Sequence, residues 1–419
     1  MSQSASELNI NPALPQIMWI DLNSAFATTE QQAHPSLRHR PVGITNRISP
    51  ECCIITASYE AKRLGVKTGT RRREALRLCP ELILLESDPP KYNAIYQKLY
   101  NIMQSYSADC GMKSIDEGYI NLQHTKYNSL VKLEHLGYEI KQRVRDEIGD
   151  YMTINVGMGT NRFLAKLAAG LHKPDGMDII TSNNLLDIYD QLQLEELTGI
   201  AQQLGRRLRR AGINSPRQFL EANDNFLRNG VFHSINGSYW YKRLRGYEVD
   251  NYRTNLSVIG RQWMVDQNGD CDDYLAGCLH CLVENVGLKL RFRNVAARGV
   301  CVWLILDSGE RWQQKHLNHA ALTDNLSIWQ IANRLFHQRP SGRVRCLGVY
   351  LYHFDNANDN QLSLINETSR RANLTRAIDQ INHTYGTTTI HSAHSTIGVH
   401  HVKQKIPFGS TDYLGLLID

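Results

Sequence analysis

Much of what this sequence lacks narrows its role. No stretch of roughly 18 or more apolar residues occurs in the chain, so a membrane-spanning helix is not expected. The polar start, MSQSASELNINPALPQ, has neither the basic opening nor the apolar core of an export signal, so no export is expected. The nine cysteines form no paired framework, which fits free thiols in a reducing cytoplasm better than a disulfide scaffold. No repeat is visible. Gly157-Met158-Gly159 lacks the Gly-Lys-Ser/Thr ending of a Walker loop. Cys278-Leu279-His280-Cys281 is followed by no second pair at metal spacing, which argues against zinc. Cys271, Cys278 and Cys281 instead share one helical face and read as small buried hydrophobes. The charge bias is mild: a net +6 is compatible with a polyanionic partner but does not identify one.

What is present is an ordinary globular composition, 42% hydrophobic and 21% charged, over 419 residues. That length is too great for one core and predicts about two to four domains. Residues 1–16 read as a loose leader. A strand from Ile17 leads into a helix over Ala25 to Gln32. A small segment to about residue 88 holds a strand, Cys52 to Ser58, and a helix, Tyr59 to Leu64. Helices are predicted over Tyr92 to Tyr106, Leu133 to Ile148 and Asn161 to Leu171, the last stopped by Lys173-Pro174-Asp175-Gly176. Thr153 to Gly159 reads as a strand running into a Gly-containing turn. Residues 178–250 are helical, 251–258 a polar linker, and 259–354 follow a β-α-β-β-α-β order. Residues 355–419 read as a polar tail with one helical stretch, Leu374 to Asn382.

Two acidic sites carry the chemistry. Asp21 ends an apolar strand, and Asp116 and Glu117 lie inside a second strand-like segment. If the strands are neighbours, the three carboxylates converge and repel unless compensated. A divalent cation is the natural partner, and an all-oxygen donor set, with the Leu22 carbonyl as a further ligand, suits Mg²⁺. Two such ions held by shared carboxylates support in-line phosphoryl transfer. The alternative is a set of solvated strand-end acids. Tyr59 and Lys62 lie on one helical face and, with Lys166, can reach a triphosphate; either lysine taken alone is more often a surface residue. Arg206, Arg207, Arg209 and Arg210 form one basic cluster, and Lys289, Arg291, Arg293 and Arg298 a second. With Arg261, they read as a track along a phosphate backbone, or else as solvated faces. Thr198-Gly199-Ile200-Ala201 followed by Leu204 to Arg210 has the outline of a helix-hairpin-helix, with Gly199 at a phosphate contact. Gln361-Leu362-Ser363-Leu364-Ile365 is an apolar plug in a polar tail, either a docking peptide or a core strand.

DLNSAFA (21–27), ASYEAKRLGV (57–66), SIDE (114–117), VGMGTNRFLAKLA (156–168) and KPDG (173–176) occur in the order and spacing of one family. The chain resembles a Y-family translesion DNA polymerase of the bacterial DinB/UmuC kind over about residues 17–410. The resemblance implies an α+β, multidomain right-hand polymerase. Its palm would be a mixed sheet over 17–33 and 89–177, with small fingers over 34–88. A helical thumb would follow over 178–250, and a little finger over 259–354. It implies template-directed addition of dNTPs to a primer-template DNA past damaged bases, in the cytoplasm, with two Mg²⁺ ions or Mn²⁺ in their place. Asp21, Asp116 and Glu117 then fall on the metal carboxylates and Phe26 on the steric gate against a ribose 2′-hydroxyl. Thr56, Tyr59, Lys62 and Lys166 fall on triphosphate contacts, and Cys53 and Ile55 over the nascent base pair. Gln361, Leu362, Leu364 and Ile365 resemble a sliding-clamp peptide. The tail stretch Leu374 to Gly386, with Ile406-Pro407-Phe408-Gly409, resembles UmuC-like tails, so SOS accessory proteins are implied partners.

The chain departs from the family pattern at several places. Asn23 stands where Asp is usual, Ala25 where an aromatic is usual, and Lys62 where Arg is common. Lysine cannot make the planar two-pronged phosphate contact. Ala201 replaces the second hairpin glycine, Ile365 the clamp peptide's Phe, and Ile55 a smaller residue. Two rivals remain at this stage: a non-catalytic, clamp-docked DNA-binding scaffold, against which all three acids argue, and another palm-type nucleotidyl transferase such as a cyclase.

Overall fold

The computed structural model describes residues 8–49, 52–251, 256–265, 268–356, 366–386 and 388–402. The chain divides into two compact units, with the break near residue 252. Among the described residues, no helix is long and apolar enough to cross a membrane.

The first unit is built on a five-stranded sheet of β1 (Ile17–Leu22), β5 (Cys110–Met112), β6 (Glu117–Asn121), β7 (Ile154–Gly159) and β8 (Met177–Ile179), in the order β5-β6-β1-β7-β8. β1, a central strand between two antiparallel partners, is buried except at Asp21, which is half-buried. Its alternate residues serve opposite faces. Ile17 and Trp19 pack against Ala165 and Ala169 of the helix Arg162–Leu171. Gly157 and Gly159 lie on that same face. A Cβ at 157 would come within 2.1 Å of the Ala169 nitrogen, and one at 159 within 2.6 Å of the Ala165 nitrogen. Both glycines are therefore inside the strand and exist so that the helix can approach. The expected Gly-containing turn is corrected on this point.

Side chains set the helix starts. Ser58, Asp88, Ser129 and Asn161 each accept the backbone N–H three residues on. The helices they start, Tyr59–Arg63, Pro89–Gln104, Leu130–Glu147 and Arg162–Leu171, fall within a few residues of the expected spans. A second, three-stranded sheet joins β2 (Val42–Thr45), β3 (Thr56–Ala57) and β4 (Ile83–Glu86). The expected strand from Cys52 to Ser58 shrinks to two residues plus an isolated bridge from Cys53 to Arg71. Its apolar side chains fill a local core around Ile54 and Ala57 rather than one face of a long ladder.

Of the span 178–250 expected to be helical, residues 178 and 179 belong instead to β8, while the helices lie within 185–244 and pack into one apolar cluster with Phe163 and Leu167. The leader is not loose over its described part. Leu8 and Ile10 are buried in this cluster. The buried Arg245 guanidinium donates to the Leu8 carbonyl at 2.9 Å, and to the Tyr241 and Leu220 carbonyls.

The second unit follows the expected β-α-β-β-α-β order: β9 (Val258–Met264), a helix Asp272–Phe292, β10 (Val295–Leu306), β11 (Arg311–Leu322), a helix Asn325–Phe336 and β12 (Val344–Asn356). The sheet runs β11-β10-β12-β9, all antiparallel. Both helices cover one face, where Val300, Val302, Leu304, Leu347, Val349 and Leu351 are fully buried. Cys278 and Cys281 lie in that core, whereas Cys271 precedes the helix and is exposed. The cysteine stripe is corrected to two residues.

The tail is more than a polar extension. A helix spans Asn366–Tyr385, and a short one, Thr396–His401, packs on the Asp272–Phe292 helix with Gly398 set against Gly277. The peptide Gln361–Ile365 and residues 406–409 lie outside the described residues.

Candidate active site

Register brings the acids together. Asp21 of β1 stands directly opposite Glu117 of β6, and the Leu22 N–H donates to the Asp116 carbonyl at 2.8 Å. Asp116 immediately precedes β6 rather than lying within it. Asp21 shares its sheet face with Trp19, and hence with the Arg162–Leu171 helix, which brings Lys166 over the strand ends. Lys166 Nζ donates to Glu117 Oε1 at 2.7 Å, and the Trp19 indole N–H donates to Glu117 Oε2 at 3.1 Å. Both oxygens of Glu117 are thus held. The Ser114 hydroxyl donates to Asp116, and Lys173 Nζ lies 2.8 Å from Asp21 Oδ2.

Burial pushes the Asp21 carboxyl above its ordinary range; Lys173 opposes this, while Glu117 and Asp116 add to it. Burial does the same to Asp116, against the Ser114 hydrogen bond and with Glu117 adding to the rise. Such acids want cations, and two lysine ammonium groups now fill that role. The donor set is all oxygen and fits a hard divalent ion. Among the described residues no three His, Cys, Asp or Glu groups form a ready ligand set. Asp21 and Glu117 are turned onto lysines instead.

Above the acids sits a polar cluster. Ser24, in the left-handed region at φ 49°, ends the turn between β1 and the helix Ala25–Ala33. Its hydroxyl accepts from Lys62 Nζ at 2.7 Å, and Lys62 lies 4.5 Å from the centre of the Tyr59 ring. Burial raises the Tyr59 hydroxyl pKa, Asp21 raises it further, and hydrogen bonds to Ser24 and Asn23 lower it. Burial pushes the Lys62 ammonium down and Lys173 adds to the fall, with Asp21 opposing. Asn23 is fully buried. It donates to Asn155 at 2.7 Å and accepts from the Asp175 N–H at 2.8 Å, tying the Lys173–Gly176 turn to β1. The Asn at this departure point is thus a structural tie. Sequence reading missed Lys173: KPDG was legible as a helix stop, but its reach into the site depends on how the chain folds back.

The remaining expected residues are placed as follows. Thr56 is in β3 opposite Ile44, and Ile55 is buried with its N–H on the Ile44 carbonyl. Cys53 is exposed. Phe26 is buried and stacked on Tyr92. Gly199 has φ 93°, as its turn requires, whereas Ala201 at φ −94° needs no glycine. Arg206, Arg207 and Arg210 line a groove with Phe232 and His233. Arg209 does not join them, because it makes a two-pronged pair with Glu195 at 2.6 and 2.7 Å. Arg291 is likewise engaged, by Asp379 of the tail helix and by Asn325. Arg298 pairs with Asp355. All three are paired within the protein, so a phosphate contact by any of them would have to share or displace a carboxylate. Arg261 and Arg293 stand in and beside the second unit's framework, and Arg261 is largely desolvated, which lowers its pKa.

A family model described as impB/mucB/samB matches residues 20–170, and the model of that family's C-terminal domain matches residues 267–364. DNA polymerase IV of Moorella thermoacetica is 30% identical over 395 residues, covering 91% of this chain and 96% of that protein. DNA polymerase IV 1 of Bacillus subtilis is 26% identical over 385 residues, covering 89% and 91%. Among solved structures, a Y-family DNA polymerase chimera of Dbh and Dpo4 has a TM-score of 0.70 at 23% identity, covering 80% of this chain and 98% of that one. The insertion ternary complex of Dbh DNA polymerase, with the same identity and coverage, has a TM-score of 0.56. At that identity the likeness shows the fold.

Proposed function

The chain belongs to the impB/mucB/samB family, the Y family of DNA polymerases, and on that premise we propose that it extends a primer 3′ end by template-directed addition of dNTPs, past damaged template bases. The observation that carries this is the meeting of Asp21, Asp116 and Glu117 at adjacent strand ends, with Lys166 and Lys173 seated on two of them. Members of the family use divalent metal ions; for this chain we assign two Mg²⁺, with Mn²⁺ as the substitute, to Asp21, Asp116, Glu117 and the Leu22 carbonyl. When bound, such ions neutralise charge on the transferring phosphoryl group and lower the pKa of the attacking hydroxyl.

The chain's own groups do the rest. Lys173 and Lys166 hold the Asp21 and Glu117 carboxyls in place before any ion arrives, and Trp19 fixes the second oxygen of Glu117. Thr56, Tyr59 and Lys62 are assigned to the triphosphate, with Ser24 holding the Lys62 ammonium. A lysine so held offers a single point charge where an arginine would offer a fork. Phe26 is assigned to the sugar, and Cys53 and Ile55 to the nascent base pair. The groove of Arg206, Arg207 and Arg210, with Gly199 at its turn, is assigned to the duplex backbone, and Arg261 and Arg293 of the second unit are assigned to phosphate contacts of their own. Gln361, Leu362, Leu364 and Ile365 are assigned to a sliding clamp. SOS accessory proteins are assigned as partners and the cytoplasm as the location.

The test is primer extension on an undamaged template with Mg²⁺ and dNTPs, comparing wild type with Asp116→Ala. Extension that vanishes in the variant supports both the reaction and the site. No extension by the wild type, with primer-template binding intact, refutes the assignment. Deleting 361–365 should abolish clamp stimulation and leave basal extension unchanged.

A further inference from the structure

We propose that Glu30 is a positioning residue for sugar selection, acting through Tyr92 on Phe26; this rests on the assignment of Phe26 to the sugar of the incoming nucleotide.

Phe26 and Glu30 lie one turn apart on the helix Ala25–Ala33, and both are almost fully buried. Tyr92, from the helix Pro89–Gln104, touches both and is 2% exposed. Its ring stacks on Phe26 with centroids 4.5 Å apart and planes 11° from parallel. Its hydroxyl donates to Glu30 Oε1 at 2.9 Å. The other carboxylate oxygen, Glu30 Oε2, takes Lys91 Nζ at 2.7 Å. Lys91 also reaches Asp88, the residue that caps the start of the Tyr92 helix. His34 Nε2 stands 3.9 Å from Glu30 Oε2.

Each link has a physical consequence. Stacked rings prefer an offset, but a range of offsets is close in energy, so the stack alone sets the lateral position of the Phe26 ring less sharply than a directional hydrogen bond does. A hydrogen bond from the far edge of the Tyr92 ring fixes that slide. A buried carboxylate is expensive, and an apolar side chain would fill the same space more cheaply. The ionic arrangement is therefore better read as setting geometry than as adding stability. Rejecting a 2′-hydroxyl depends on a ring wall placed to within about half an ångström. An unanchored wall recedes when the larger sugar presses on it.

The experiment measures kcat/KM for a dNTP and its ribonucleotide counterpart opposite an undamaged template. Wild type, Glu30→Ala, Glu30→Gln, Tyr92→Phe and Phe26→Ala are compared, with thermal unfolding of each. Glu30→Ala should reduce the discrimination ratio about tenfold, mainly through a lower KM for the ribonucleotide, with dNTP insertion within about threefold of wild type. Tyr92→Phe keeps the stack and loses the tether, so it should reduce the ratio by about threefold. Glu30→Gln keeps an acceptor for Tyr92 and should restore most of the ratio. Where Glu30→Ala fails to fold, Tyr92→Phe decides. Wild-type ratios in folded Glu30→Ala and Tyr92→Phe overturn the proposal while Phe26→Ala still relaxes selection. A Phe26→Ala variant with an unchanged ratio removes the assignment beneath the proposal and the proposal with it. A wild type that extends nothing refutes the polymerase reading itself.

Discussion

The two larger sheets of this protein each carry glycines inside their strands, and they use them in opposite ways. In the five-stranded sheet, Gly157 and Gly159 face a helix whose backbone comes so close that a Cβ would overlap it. In the four-stranded sheet, Gly299 and Gly348 lie on the face away from the helices, each under an aromatic ring, Tyr352 on one and Trp303 on the other. The first arrangement draws a helix in so that Lys166 reaches Glu117. The second leaves an open face with half-buried Trp303, Tyr350 and Tyr352 beside exposed Lys315. The charges differ in the same sense. The first sheet gathers like-charged acids at its strand ends, at a cost in stability. Beneath its helices the second sheet buries little but apolar side chains. One sheet gives up stability to bring three acids together, and the other forms a firm platform.

The comparison can be broken most strongly at the acids. Asp116→Ala should lower primer extension by about a thousandfold or more while leaving primer-template binding within about twofold, because the loss is in charge stabilisation at the reacting phosphoryl. Equal loss of binding would mean that Asp116 supports the fold instead.

Next in size is Gly157→Ala. The overlap with the Ala165 carbonyl and the Ala169 nitrogen is with backbone and cannot be relieved by a rotamer change. It should cost about 3 kcal/mol or more of first-unit stability. Gly170→Ala, on the same helix with nothing within 4 Å of the added carbon, should stabilise by about 0.5–1 kcal/mol. Thermal unfolding of the two variants checks both signs.

The arginines sharpen the comparison further. Replacing Arg206 and Arg207 with alanine together should flatten the salt dependence of DNA affinity by about two contacts, and weaken binding about tenfold at moderate salt. Arg209→Ala and Arg291→Ala should leave that slope unchanged, since Glu195 and Asp379 already occupy them. A changed slope in either would show that the pair opens on DNA.

The smallest effect is in pH. Burial, with His394 stacked nearby, holds the His280 imidazole down at about 4, from an ordinary value near 6.5. The unfolded chain therefore takes up the proton first, and stability falls as pH drops from about 6.5 towards about 4. Second-unit unfolding followed across that window should show the fall, and His280→Asn should make it shallower. Glu284, raised by burial, faces the same spot and acts with the opposite sign, gaining stability as pH falls, so it opposes the His280 effect.

Much of the architecture was legible from local signals. The β-α-β-β-α-β order, the apolar strand that carries Asp21 near its end, and the helices after it all follow from periodicity, because that signal acts within a few residues. The acidic convergence was legible as a condition: if the strands are neighbours, the acids meet. What local signals missed depended on distant partners. The span 52–58 reads as one strand, yet its apolar residues go to a compact local core. The leader reads as loose, yet Leu8 and Ile10 find an apolar cluster more than 150 residues away in sequence. Arg209 and Arg291 read as basic track, yet each meets a carboxylate brought in by folding.

By itself, then, the sequence determined which residue types stood ready for metal, phosphate and sugar, and where helices start and strands run. Those features depend on side-chain chemistry and on backbone preferences over a few residues. Only the tertiary structure decided that Lys173 closes on Asp21, that Glu30 anchors Tyr92 behind Phe26, and which arginines remain open to a phosphate. Those outcomes are contacts between segments remote in the chain. Charge pairing and ring stacking depend on distances that no local pattern encodes.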